Sequence, residues 1–534
     1  MHDVAGLLVL PGAVDVHTHL DSATPTTPTV DDFAAGTLAA AFGGTTTVVD
    51  YCAPQRGQGL LHGMDDWHRR RANTCVNVGA HMADRARAEG VPARPVRRRQ
   101  HALAWARGSG RIPAPRRSWT EAMTNLMDLR IEPAYLLDRL AALGAIGDTG
   151  DGGCCRLALT DADRCGRDLV TRWMRELGLS VHVDPVGNLF GWCAGNDDGL
   201  APVMTGSHID TVATGGRYDG NYGVLSGLAV VQALAAAGVT TRRPLVVAAF
   251  TNEEGARFQP DMLGSLVFTG GLPLSDAHAT RAIDGAQLGD ELRRIGYLGT
   301  APLPLTVPHA YVELHIEQGP VLDAARETIG AVRGVQGISW QAITVGGQAN
   351  HAGTTPMRLR HDAGHAAAAV ACFVRELALR MRGDQVATVG SVQLQPGLIN
   401  VIARRAELTV DLRNTSDALL REAESRLAAF LAELARAEGV TIETRTLARF
   451  EPVHFDPGVI DLIARQAKRL GHEPRTMSSG AGHDAQMLAR VCPAAMIFVP
   501  SVQGISHNPA ETTAPEHLVA GADVLLQTLL ELAS

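Results

Sequence analysis

Residues 14–20 read VDVHTHL and place His17 and His19 two positions apart in an apolar, β-prone run. On a strand such a pair points to one face, which is a metal-ligand arrangement. A longer series of candidate ligands lies downstream. GSHIDTVATGGRYDG carries His208 and Asp219, and FTNEEG carries Glu253 and Glu254. YVELHIEQGP carries His315 with Glu317 and Gln318 beside it, and GISHNPAE carries His507. Three histidines, one aspartate and one glutamate suit two divalent ions that share a carboxylate. Imidazole and carboxylate donors fit zinc, manganese, cobalt or nickel better than a thiolate site would. Two such ions roughly 3.5–4 Å apart hold a hydroxide and polarise a carbonyl. An unliganded glutamate beside them serves as general base. Adjacent carboxylates on one element point in different directions, so Glu253 and Glu254 are expected to have different jobs.

The same stretches indicate the elements that must position these groups. APVMTGSH and RPLVVAAFTNEE are apolar runs that end in polar residues. In an open parallel sheet, ligands bind at the carboxyl ends of strands. Gly215, Gly216 and Gly220 permit a tight loop that swings Asp219 back towards His208. Taken singly, a GSH or an EEG is weak evidence, because most histidines are ordinary core or surface residues. Taken together, each group ends an apolar run or sits in a Gly-rich loop, and the set completes one dinuclear site.

A chain of 534 residues that is 46% hydrophobic is long enough for several domains. Residues 1–82 read as one βαβ unit: LLVLPGAVDVHTHL, the capped helix DDFAAGTLAAAFGG, then β-branched TTTVVDYC. Residues 83–117 are Arg-, Pro- and Gly-rich and read as a linker. Residues 118–330 and 446–534 alternate strands and helices, as a catalytic α/β domain would. Between them, residues 331–445 form a separate block with a β-α-β-β-α-β pattern. A net charge of -8 and 4% aromatic residues give no basic surplus and few stacking platforms, so nucleic acid is not an expected partner. No run approaches the length of a membrane span, and the N-terminus lacks the basic start of a signal peptide. Eight cysteines without a CxxC pair read as reduced thiols of a cytoplasmic protein.

GSHIDTVATGGRYDG, FTNEEGARF, HIEQG, GGQANHAGTTPM, GLINVI, DLRN, SGAGHDA and SHNPAE follow one another in this order. On these motifs, residues 150–534 resemble the hydantoinase/carbamoylase branch of the dinuclear metallopeptidase-like amidohydrolases. That branch comprises N-carbamoyl-L-amino-acid hydrolases, β-ureidopropionases and allantoate amidohydrolases. The resemblance implies a catalytic domain with a central mixed sheet flanked by helices, and an inserted ferredoxin-like α+β domain that serves as lid and dimer interface. It implies that His208 and His315 bind one divalent ion, that Glu254 and His507 bind the other, and that Asp219 bridges. Glu253 would be the general base. His351 would stabilise the developing oxyanion, Asn400 and Arg413 would bind the substrate carboxylate, and Gln318 and His483 would line the site. His351, Asn400 and Arg413 belong to the inserted block. The blander alternatives are a turn residue for His351, a surface ion pair for Arg413, and a turn and helix entry for GTTPM.

VLPGAVDVHTHL and the segment after it resemble the opening of the dihydropyrimidinase/hydantoinase family, a TIM-barrel amidohydrolase whose HxH pair binds metal. A full barrel needs about 250 residues, and residues 1–82 contain no lysine to complete such a site. An incomplete βαβ fragment of that barrel is therefore expected. The expected activity is hydrolysis of a linear ureide, an N-carbamoyl-L-amino acid or N-carbamoyl-β-alanine, to amino acid, ammonia and carbon dioxide. The alternatives are an allantoate or ureidoglycolate amidohydrolase, an aminoacylase or peptidase with the same metal core, and a non-catalytic product of a decayed gene fusion.

Overall fold

The computed structural model describes residues 13–18, 45–52 and 77–82, and residues 126–534 except Arg382. The linker 83–117, the helix expected at DDFAAGTLAAAFGG, and His19 lie outside the described residues. The chain divides into two units, Met1–Ala114 and Pro115–Ser534.

In the first unit β1 (Ala13–Thr18), β2 (Thr45–Cys52) and β3 (Asn77–Met82) form a parallel sheet in the order β1-β2-β3. β1 contains His17. The sequence pattern singled out the first two strands and not β3.

The second unit holds two sheets. Its strands begin with β4 (Ser180–Val183), β5 (Leu189–Cys193), β6 (Val203–His208), β7 (Leu245–Phe250), β8 (Ala310–Ile316) and β9 (Gly330–Val335). They continue with β10 (Gly337–Gly346), β11 (Val386–Gln395), β12 (Arg405–Asn414) and β13 (Thr441–Phe450). They end with β14 (Val453–His454), β15 (Arg475–Ser479) and β16 (Ala494–Val499). The larger sheet is mixed and nine-stranded, in the order β14-β9-β16-β8-β6-β7-β5-β4, with β15 paired to β9. β16, β8, β6 and β7 run parallel to one another. All residues of these four strands are buried. Such strands are largely apolar because both faces of a parallel sheet are covered, and the polar residues they bury, such as Glu313, are hydrogen-bonded. The helix Asn221–Ala237 packs on β6 and is itself apolar nearly all round, as a helix inside a large core must be. Each buried Val, Leu or Ile here contributes roughly 1.5–3 kcal/mol of transfer free energy.

The smaller sheet is antiparallel, in the order β11-β12-β10-β13. The helices Ala363–Arg380 and Asp417–Glu438 pack against it and share its apolar core. β12 alternates buried and open positions, so one face meets the helices while the other carries Arg405, Glu407, Thr409, Asp411 and Arg413. The small sheet occupies Gly337–Phe450, a few residues later than the block 331–445 read from sequence. The cause is pairing: β9 belongs to the large sheet through β16 and β15, and β13 extends to Phe450 alongside β10.

Candidate active site

The four parallel strands deliver their carboxyl ends to one edge of the large sheet. His208 closes β6, and His315 is the penultimate residue of β8. Glu253 and Glu254 follow β7, and the loop after β16 reaches His507. Asp219 comes from the loop between β6 and the helix Asn221–Ala237. Gly220 turns that loop with φ of 63°, and a Cβ there would lie 2.4 Å from the His208 ring. Only glycine allows this approach.

Asp219 is the shared group. Its Oδ1 lies 3.5 Å from His208 Nε2 and 3.2 Å from His315 Nε2, while its Oδ2 lies 3.4 Å from His507 Nε2. Glu254 Oε2 is also 3.4 Å from His507 Nε2. The adjacent Glu253 turns the other way, with Oε2 3.4 Å from His208 Nε2. Two candidate ligand sets share Asp219, His208–Asp219–His315 and Asp219–Glu254–His507, and a third grouping joins Glu313, His315 and His483. The Nδ1 atoms of His208 and His315 sit 2.9 Å from the carbonyl oxygens of Asp210 and Ile316. Donation from Nδ1 to these carbonyls aims each Nε2 at the cluster, where it donates to Asp219 when protonated and offers a lone pair to a metal when it is not.

The electrostatics suit cations. Burial opposes the charge of Asp219, but hydrogen bonds from His208, His315 and His507 outweigh it and hold the carboxyl well below its ordinary value. Burial, and then the charge of Asp219, pushes Glu254 up to about 8. Burial raises Glu253 well above the ordinary carboxylate value. The hydrogen bond to Asp219 raises His507 to about 9. Glu254 Oε1 is buried without a hydrogen-bond partner. An orphaned carboxylate oxygen among imidazoles and other carboxylates fits a pair of divalent ions.

A cavity of about 120 Å³ opens on the cluster, lined by His208, Asp219, Glu253, Glu254 and His507 together with Gln318, Asp261 and Ala481–His483. Gln318 Nε2 donates to Asp219 Oδ2 at 2.8 Å. His483 accepts or shares a hydrogen bond with Ser479 at 2.9 Å, and burial, reinforced by His315, keeps its ring neutral. Asn252, Gln318 and His507 all adopt left-handed backbone conformations, with φ of 56°, 56° and 53°. Non-glycine residues hold that conformation only where the surroundings enforce it.

The residues of the small sheet are placed differently. His351 and Asn400 are exposed. They lie in neighbouring loops at one tip, where His351 bridges to Val401 and Ala352 N–H donates to the Asn400 carbonyl. Among the described residues neither lines the cavity or joins a ligand set. His351 Nδ1 accepts the N–H groups of Gly353 and Thr354, as a turn residue would. Arg413 pairs with Asp411, yet it also reaches across to the Gly480 carbonyl beside the cavity.

Sequence reasoning passed over three supporting groups. Asp210 accepts the N–H groups of Glu253 and Glu254 at 3.3 and 3.4 Å, and so orients both carboxylates. Its signal was the His-x-Asp spacing in GSHID. Glu511 accepts the Asp219 N–H at 3.3 Å and the Ser506 hydroxyl at 3.0 Å, tying two ligand loops together. Its signal was the last letter of SHNPAE. Asp261 lines the cavity, and no sequence signal marked it. Glu317 has a structural task, capping the helix that follows by accepting from Val321 and Leu322.

A mixed sheet with candidate ligands at its strand ends and a buried glutamate beside them fits a metal-dependent hydrolase. Residues 204–531 match the model of peptidase family M20/M25/M40. An N-carbamoyl-L-amino-acid amidohydrolase of Rhizobium meliloti is 41% identical over 404 residues, covering 76% of this chain and 97% of that protein. An allantoate amidohydrolase of Bacillus subtilis is 33% identical over 404 residues, covering 74% of this chain and 97% of that protein. The crystal structure of a hydantoinase/carbamoylase family amidase from Burkholderia multivorans superposes with a TM-score of 0.75 at 45% identity, covering 76% of this chain and 98% of that one. The chain belongs to peptidase family M20/M25/M40 and, within it, to the hydantoinase/carbamoylase branch.

Proposed function

We propose that the protein hydrolyses an N-carbamoyl-L-amino acid, or N-carbamoyl-β-alanine, to the amino acid, ammonia and carbon dioxide. The observation that carries this is Asp219 standing between two ligand sets with Glu253 beside them and outside both. The name of the Rhizobium relative supports the carbamoyl substrate. His208, His315 and Asp219 would hold one divalent ion, and Asp219, Glu254 and His507 the other, drawn from zinc, manganese, cobalt or nickel. When bound, such a pair supplies Lewis acidity to the carbonyl and lowers the pKa of water.

Glu253 takes the proton of the attacking water and returns it to the leaving nitrogen. Burial raises its pKa, which favours its holding the proton it takes up. Asp210 fixes the backbone from which Glu253 and Glu254 project. Gln318 and His483 line the cavity that admits the ureido group. Arg413 binds the substrate carboxylate, assisted by Asn400, and His351 stabilises the oxyanion.

Residues 331–445 would form an inserted lid and dimerisation domain. The exposed tip bearing His351, Asn400 and the fully exposed Ile399 is then the part of one protomer that completes its partner's site. Residues 1–82 would be the incomplete barrel fragment, outside the catalytic domain. Among the described residues no helix is long and apolar enough to cross a membrane. The six cysteines described are free thiols, which supports a cytoplasmic setting. The Bacillus relative supports a second reading, allantoate. Assay of the metal-loaded enzyme on N-carbamoyl-L-amino acids, N-carbamoyl-β-alanine and allantoate separates the two. Fastest turnover on a carbamoyl amino acid is expected, and turnover of allantoate alone would overturn the assignment.

A further inference from the structure

Asp411 and Arg413 alternate with buried Val410, Leu412 and Asn414 on β12, so both stand on the open face of the small sheet. Asp411 Oδ2 accepts from Arg413 Nε at 3.0 Å and from Nη2 at 2.9 Å, and Oδ1 accepts from Nε at 3.2 Å. Arg413 Nη1 donates to the Gly480 carbonyl at 2.7 Å. Gly480 immediately precedes Ala481, Gly482 and His483, which form one wall of the cavity. A guanidinium carries five N–H groups in one rigid plane. These contacts occupy the Nε proton, one Nη2 proton and one Nη1 proton. One N–H on each terminal nitrogen remains, and with the Gly480 carbonyl on the Nη1 hydrogen that faces Cδ these two form the outer edge that a carboxylate engages at two points. The two side chains are 26% and 28% exposed, so the free edge stands at an open rim.

We propose that Asp411 is the positioning residue of the substrate-carboxylate subsite. It clamps the inner edge of Arg413, while the Gly480 carbonyl sets the height of the guanidinium against the cavity wall. The outer edge is thereby aimed before substrate arrives, and the rotamer entropy of a free arginine is not lost again on binding. The carboxylate of Asp411 also offsets part of the guanidinium charge. The subsite therefore selects for two-point geometry rather than for any passing anion. This rests on the reading of Arg413 as the carboxylate binder.

A merely structural pair, strapping the small sheet to the loop before His483, would act on stability and on kcat. The test uses the full-length, metal-loaded enzyme and the N-carbamoyl-L-amino acid that the wild type turns over fastest. Asp411→Asn replaces one acceptor with an amide donor that faces the guanidinium. It is expected to raise KM about tenfold, with the loss concentrated in KM, because a binding interaction common to ground and transition states is removed. Asp411→Glu is expected to regain part of that loss. In an Arg413→Ala background, Asp411→Asn should add nothing further, since the two act through one contact. Independent, additive effects would overturn the proposal, and so would a wild-type KM in Asp411→Asn. A fall in kcat and melting temperature with KM unchanged would do the same. If the wild type turns over no carbamoyl amino acid, the functional reading fails and the subsite goes with it. If the wild type is active and only the Asp411 variants behave otherwise, the positioning role alone fails.

Discussion

The two sheets of the second unit present their candidate residues in opposite ways. On the large sheet, four parallel strands are buried on both faces, and His208, Asp219, Glu253 and His315 converge while themselves nearly excluded from solvent. On the small sheet one face is open, and His351, Asn400 and Arg413 stand at its surface or tip. The difference separates two tasks. A close-packed interior fixes side chains to within the tolerance that metal ligation needs. An exposed tip gives no such fixity by itself, but it is free to meet substrate or a second chain.

The sharpest way to break this division is Glu253→Gln. On the large-sheet reading it keeps metal while kcat falls by about 10²–10⁴. Near-normal turnover would show that the buried cluster is not where the proton is handled. Next comes His351→Ala, expected to cost about 10²–10³ in kcat if the tip supplies an oxyanion donor. Mixing this variant with Glu253→Gln protomers should restore about a quarter of wild-type activity, because exchange between two-fold dimers builds one intact site in half of them. No recovery would mean that the tip serves its own chain or no site at all.

A smaller effect tests the electrostatics of the cluster. Glu254 is raised to about 8 and His507 to about 9, so both hold protons at lower pH. Metal must displace those protons, so affinity should climb between pH 6 and 9, by about tenfold per pH unit for each proton released. Metal content after dialysis at fixed free metal measures this, and a flat profile would count against these two groups as ligands. Smallest of all should be deletion of residues 1–117. The Rhizobium relative is covered over 97% of its own length by 76% of this chain. A change in kcat/KM within about twofold is expected, within the spread of an ordinary surface change. Loss of metal on deletion would bring His17 and the first unit back into the account.

The parts of the site that could be read from sequence are those with local signals. His208, Glu253 and His315 each end or follow an apolar run, and Gly220 marks the turn behind Asp219. A strand end is written in consecutive residues, so its polar stop can be seen without knowing its neighbours. Asp210 was missed although it lies two residues from His208, because its partners, the N–H groups of Glu253 and Glu254, arrive from another strand. Glu511 likewise braces a loop nearly three hundred residues away in sequence. The motif VDVHTHL had the plainest local signal of all, yet its partners for a metal site could not be found in residues 1–82.

The sequence by itself singled out candidate residues for the chemistry, and among them His208, Glu253, Glu254 and His315 lie at or just after strand ends. It also determined that a separate β-α-β-β-α-β block interrupts the catalytic α/β pattern. Periodicity and polar stops are properties of adjacent positions, and that is why they could be read. Only the tertiary structure decided that β16, β8, β6 and β7 lie side by side in parallel, which brings His507, His315, His208 and the glutamates to one edge. It also decided that one Asp219 oxygen faces His208 and His315 while the other faces His507. The pairing of Asp411 with Arg413 and the reach of Arg413 to Gly480 were settled there too. Strand order and side-chain direction depend on contacts between residues far apart in the chain, and no local pattern encodes them.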